Sequence, residues 1–99
     1  MKKETGKERM EYTKETIKKI IISKLVKWNK WGATHTENIL GGIPRSARGS
    51  KITREALKEL IKTEWLLPAL KTKEIHYSLN PEKAKEILQF YEQECKKED

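Results

Sequence analysis

The chain has one cysteine, Cys95, and two histidines, His35 and His76, in 99 residues. A single thiol excludes an intrachain disulfide. Three Cys and His residues fall short of the four ligands of a structural zinc site. No apolar run approaches the roughly 18 residues that cross a bilayer, and no apolar signal segment follows the charged start. A cytoplasmic location and no membrane partner are therefore expected. Aromatics are only 7% of the chain, and its amides are confined to Asn29, Asn38, Asn80, Gln89 and Gln93. Scarce amides among many Lys and Glu fit proteins that work at high temperature.

Catalytic signatures are lacking too. GGIPRSARG has glycines but not the Gly-Lys-Ser/Thr ending that cradles nucleotide phosphates, and there is no GxGxxG. No Ser/His/Asp or Cys/His grouping falls on plausible neighbouring elements, and the acids are scattered. Neither an enzyme nor a cofactor is expected.

What is present is charge. Charged residues make up 37% of the chain, and 22 Lys and Arg oppose 15 Asp and Glu, a net +7. The excess is uneven. Residues 41–73 hold eight basic side chains against three acidic ones, whereas the last nineteen residues are net acidic. A basic surface of this kind attracts polyanions.

The length suits one domain. Residues 1–11, with Met1 and Met10 as their apolar residues, read as a disordered basic arm, residues 12–95 as the domain, and residues 96–99 as a frayed end. A first helix is predicted over Thr13–Trp28, with Ile17, Ile20, Ile21, Leu25 and Trp28 on one face and Gly32 ending it. Lys18 and Lys24 fall inside that apolar arc and would have to snorkel. Ala33-Thr34 adds a short extended piece. A short second helix is predicted over Thr36–Leu40, ended by Gly41-Gly42. GGIPRSARGS then reads as a loop. The third helix is predicted over Lys51–Thr63, with Ser50 as its N-cap and Ile52, Ala56, Leu57, Leu60 and Ile61 turned inward.

Leu66–Leu70 and Ile75–Leu79 read as two strands joined by the four polar residues 71–74. Ile75, Tyr77 and Leu79 alternate with His76 and Ser78, and Pro68 restricts its strand to an edge or bulge. Asn80-Pro81 pairs an N-cap with a proline at the first helical position. The last helix carries Ala84, Ile87, Leu88, Tyr91 and Cys95 as its inward stripe. Phe90 lies off that stripe and is expected to be exposed, where it could join two copies of the chain. The three tryptophans sit at element ends, where aromatics cap small cores. His35 and His76 read as surface or first-turn residues.

The order is helix, extended piece, helix, helix, hairpin, helix. Residues 52–81, ITREALKELIKTEWLLPALKTKEIHYSLNP, resemble the winged helix-turn-helix family, in which a recognition helix ending in a run like LKELIK is followed by an apolar strand, a wing turn and a returning strand. Two features depart from that pattern. Glu64-Trp65 stands where a glycine often turns the helix into the wing, and the link between the second and third helices is longer than a tight helical turn. The resemblance implies an α+β winged-helix fold that binds double-stranded DNA as a small transcription regulator. The third helix would enter the major groove, with the wing on the backbone or minor groove.

On that reading Lys51, Arg54, Lys58 and Lys62 lie within about 80° of one another opposite the inward face of the third helix. Arg54 is the residue for guanine edges because its planar fork suits O6 and N7, with Thr53 and Lys58 secondary. Lys51, Lys62, Arg45, Arg48, Lys71 and Lys73 suit phosphates. Ser46 and Ser50, near the helix N-terminus, can donate hydroxyls to a phosphate there. Spacing also allows Lys51–Glu55, Glu55–Lys58 and Glu59–Lys62 pairs that would neutralise part of this stripe. An acidic protein or an RNA stacked on the tryptophans would meet the same charge.

Overall fold

The computed structural model describes residues 13–36, 39–41, 43, 45–71 and 73–95; the predicted arm, the frayed end, and Tyr12, Glu37, Asn38, Gly42, Pro44 and Thr72 lie outside them. Helix α1 spans Lys14–Lys27. Thr13 caps it, its hydroxyl accepting from the Thr16 amide at 3.1 Å. Ile17, Ile21, Ile22 and Leu25 are completely buried along one side, so α1 is the spine of the core.

The helix ends earlier than Gly32 requires. Trp28 is the C-cap and Asn29 adopts φ 58°. The Asn29 amide donates to Val26 O and the Lys30 amide to Leu25 O. This is the paired closure that satisfies orphan carbonyls at a helix end. Gly32, at φ +58°, serves a later turn in which an added Cβ would stand 3.3 Å from Pro81 Cγ.

The chain then turns, the Thr34 amide donating to Trp31 O at 3.0 Å, and Trp31 and Thr36 bridge to the second strand at Leu79 and Tyr77. This corrects the predicted second helix at Thr36–Leu40. The Thr36 amide donates to Tyr77 O at 3.0 Å and its carbonyl accepts from the Tyr77 amide at 2.7 Å, so its backbone is committed to strand-like pairing. Ile39 and Leu40 are not helical either. The short helix is instead α2, Arg45–Arg48, inside the stretch predicted as loop. Only Gly49 and Ser50 separate it from α3, Lys51–Lys62, so the link is tight after all.

Strand β1, Leu66–Lys71, pairs antiparallel with β2, Glu74–Leu79. Lys71 is the register partner of Glu74, which leaves a two-residue turn where four residues were expected. Burial follows distance along the hairpin more than strict alternation: Leu66, Ser78 and Leu79 are buried, whereas Leu70 and Ile75 are exposed. The hairpin is rooted in the core and projects from it. Asn80 caps the following 3₁₀ turn, Pro81–Lys83, accepting from the Glu82 amide at 3.0 Å. Helix α4, Ala84–Phe90, passes into a π-helical turn, Tyr91–Cys95.

The chain is thus α+β, with helices packed beside a two-stranded antiparallel sheet among the described residues. Ile39, Ile43, Ala56, Leu60, Leu66, Leu79 and Ile87 close the core around α1. No helix is long and apolar enough to cross a membrane among these residues. Cys95 is half-buried, its thiol 3.6 Å from Lys19 O.

Two expectations for α4 are corrected. Phe90 is half-buried and meets Trp65 edge-on, ring centroids 5.4 Å apart. Trp65 Nε1 is in turn held by Glu86 at 3.2 Å. Leu88, expected inside, is exposed. Ile87 is the buried centre of the helix, so the i+3 residue Phe90 follows it inward and the next residue, about 100° round, does not. A dimer contact through a free Phe90 ring loses its basis. Trp31 and Trp65 pack on the core as expected, but Trp28 is exposed, with the Lys24 ammonium 4.7 Å from its ring centre.

Candidate nucleic-acid interface

Helix α3 starts from a cap that takes two predicted site residues out of play. Ser50 Oγ accepts from the Thr53 amide at 3.3 Å and donates to Thr53 Oγ1 at 3.2 Å. Thr53 Oγ1 donates in turn to Ala47 O at 2.7 Å. Each hydroxyl proton in this relay already has an acceptor, and Thr53 is fully buried. Thr53 therefore cannot reach a base edge, and the Ser50 hydroxyl has no proton to spare for a phosphate. Their work is to clamp the short α2 against the first turn of α3.

Arg48 is also drawn inward. It is half-buried, and its Nε donates to Ile43 O at 2.9 Å. Its charge lies close enough to Lys24 to help burial depress the pKa of that lysine. Ser46, two residues earlier, is exposed on α2, which also carries Arg45.

Beyond the cap the basic stripe is open. Lys51, Arg54, Lys58 and Lys62 are all exposed along α3. Lys51, Arg54 and Lys58, with Glu55 and Leu57, line a groove of about 460 Å³. Lys58 and Lys62, with Lys14, Glu55 and Glu59, line a second of about 360 Å³. Lys58 and Glu55 belong to both, so the stripe is continuous. Arg54 rests its Nη1 on Gly49 O at 2.6 Å, which steadies the α2–α3 turn while its guanidinium stays at the surface.

The neutralising pairs allowed by spacing do not form. Glu59 faces α1, where it binds Lys14 and Lys18, each at 2.5 Å. Lys18, expected to snorkel, thus finds a carboxylate. These two ammonium groups hydrogen-bond the Glu59 carboxyl and hold its pKa down to about 2. The same contact raises Lys14 above its ordinary value. Among the described residues, no carboxylate lies within 4.0 Å of Lys51, Arg54, Lys58 or Lys62. Ile52, predicted inward, is exposed beside them because Thr53 takes the inward position at that turn.

Lys71 and Lys73 lie exposed at the end of the hairpin, and neither lines these two grooves. Glu74, the register partner of Lys71, places its carboxylate 3.6 Å from His76 Nε2 instead. His76 in turn meets His35, a pairing that sequence separation hid. No group of three or more His, Cys, Asp or Glu able to hold a metal occurs among the described residues. No family model, curated protein or solved structure matches the chain.

Proposed function

We propose that this protein binds double-stranded DNA through the outer face of α3, as a winged helix-turn-helix transcription regulator. One observation carries the reading: among the described residues, four successive outward cations on a single helix have no carboxylate partner, while the nearby Glu59 is bound by α1. Exposed ammonium groups with no internal partner can exchange their counterions for phosphates, which drives non-specific affinity for a polyanion. The element order and the two-residue α2–α3 link also suit a helix-turn-helix.

Arg54 is the base-reading residue in this proposal, since a guanidinium can address guanine O6 and N7 together. Lys51, Lys58 and Lys62 bind phosphate and fix the register of the helix. Arg45 and Ser46 extend the contact along the backbone, and Lys71 and Lys73 meet it from the hairpin.

The test is a salt titration of binding to duplex DNA, single-stranded RNA and a random competitor, side by side. The variant Arg54→Glu plus Lys58→Glu, with a wild-type melting curve, is expected to lose duplex binding. Unchanged low-salt affinity in that variant would overturn the proposal. Preferential quenching of tryptophan fluorescence by single-stranded RNA would redirect it to RNA.

A further inference from the structure

One face of the hairpin is exposed at its outer end. Register partners share a face, so Leu66–Leu79, Pro68–Tyr77 and Leu70–Ile75 form one ladder. All six residues are largely apolar. The first pair is buried in the core, whereas Leu70 is 75% exposed and Ile75 47% exposed. The last rung therefore presents two aliphatic side chains at the end of a narrow ribbon, one residue from a two-residue turn.

The size and setting of this rung restrict what can cover it. A stable protein interface takes roughly 800 Å² from each partner, far more than two aliphatic side chains supply. One base step is a better match, because apolar wedges of Leu and Ile enter between bases from the minor groove and bend the duplex. The flanking charge agrees. Lys71 adjoins Leu70 and Lys73 lies in the turn, and neither has a carboxylate partner among the described residues, since Glu74, the neighbour of Ile75, sits against His76. An aliphatic pair with two exposed ammonium groups at the turn just beyond it is complementary to a base step with phosphates alongside.

We infer that Leu70 and Ile75 form a wedge that inserts at a base step from the minor groove and kinks the DNA, with Lys71 and Lys73 on the adjacent phosphates. This inference rests on the DNA-binding reading above and adds a bending activity to it. In binding, the two side chains leave water for the unstacked step, and no bond is made or broken.

The experiment uses the full chain and a short duplex carrying a donor and an acceptor dye at its two ends. Wild-type protein is expected to shorten the end-to-end distance on binding. Leu70→Ala plus Ile75→Ala is expected to bind with an unchanged salt slope but to lose that shortening. Leu70→Gln, a polar replacement at an exposed site, is expected to lose it as well, and thermal melts of each variant verify the fold. Wild-type binding without bending, or full bending by the double variant, would overturn the wedge and leave the DNA-binding reading standing. Absence of duplex binding by the wild type at every salt concentration would overturn both. Should sedimentation give a wild-type dimer that the double variant dissolves, the rung is a self-association surface and the wedge is wrong.

Discussion

His35 Nδ1 lies 3.1 Å from His76 Nδ1, across 41 residues of sequence. The rings meet edge-on, 5.0 Å between centroids. One of the two Nδ1 atoms donates and the other accepts, and the Glu74 carboxylate lies 3.6 Å from His76 Nε2 on the far side of that ring. The bond ties the segment before α2 to the second strand, next to the Thr36–Tyr77 bridge. Replacing His35 by Ala removes one partly buried hydrogen bond, worth about 0.5–1.5 kcal/mol. Hydrogen exchange is expected to quicken roughly 2- to 10-fold at the Thr36 and Tyr77 amides. The Leu79 amide, bonded to Lys30 O at 2.8 Å, should be unaffected. Equal acceleration at all three sites would indicate general destabilisation instead.

Glu59 gives the fold an acid-sensitive clamp. Its carboxyl titrates at about 2 against an ordinary 4.5, because Lys14 and Lys18 donate hydrogen bonds to the ionised form. The unfolded chain therefore takes up this proton at a higher pH than the folded one. The stabilisation is complete above about pH 4.5 and fades as pH falls towards 2. Lys14, raised in the fold, keeps its share until alkaline pH removes its proton. Melting temperatures of wild type and Glu59→Gln should differ at pH 6 and converge near pH 2. A difference that persists unchanged at pH 2 would show that the clamp is not electrostatic.

Long, periodic elements were legible in the sequence because their pattern repeats. Ile17, Ile21 and Leu25 recur at helical spacing, and Ser50 and Asn80 are side chains that cap helices wherever the following residues allow it. Helix α2 was hidden because four residues cannot display a helical period, and Thr36 suits a cap and a strand bridge equally. Phe90 was misplaced because its partner, Trp65, lies 25 residues away, a contact that no local pattern encodes. Within the proposed interface, Lys51, Arg54, Lys58 and Lys62 were legible from angle alone. Whether the neighbouring glutamates would neutralise them was not, since Glu59 is claimed by a helix far off in sequence.

Glu64 occupies a position that favours glycine. Its φ is 67°, while its amide donates to Ile61 O and the next amide to Leu60 O, closing the end of α3. A side chain in left-handed backbone costs about 1–2 kcal/mol, partly offset by the greater freedom that glycine loses on folding. Glu64→Gly is expected to stabilise the protein by about 0.5–1 kcal/mol, a rise of several degrees in melting temperature for a domain this size. The Glu64 carbonyl bond to Asn80 Nδ2 at 2.8 Å needs no side chain and should survive. A fall in melting temperature would contradict this account of the helix end.

Thr53 separates a packing role from a reading role. Thr53→Val keeps the shape but removes the hydroxyl that donates to Ala47 O and accepts from Ser50 Oγ, while the Ser50 amide still donates to Ala47 O. The expected cost is about 0.5–1.5 kcal/mol of stability. Thr53→Ser retains the hydroxyl and should recover most of the hydrogen-bonding loss. DNA affinity per folded molecule is expected to match wild type in both variants. Altered base preference in a fully folded Thr53→Val protein would return this residue to the interface.

The basic residues of residues 41–73 fall into two groups that salt dependence can tell apart. Lys58 and Lys62 are exposed with no carboxylate partner among the described residues, so each phosphate they neutralise contributes about 0.9 to the log–log salt slope of duplex binding. Lys58→Ala and Lys62→Ala should each reduce the slope by about that amount. Removing both should roughly double the loss, since separate phosphates contribute independently. Arg48 is half-buried, and its Nε serves Ile43 O. Arg48→Ala is therefore expected to lower the melting temperature while leaving the slope of the folded protein unchanged. If Arg48→Ala flattened the slope and the two lysine variants did not, the phosphate contacts would lie beside α2 and not along the outer face of α3.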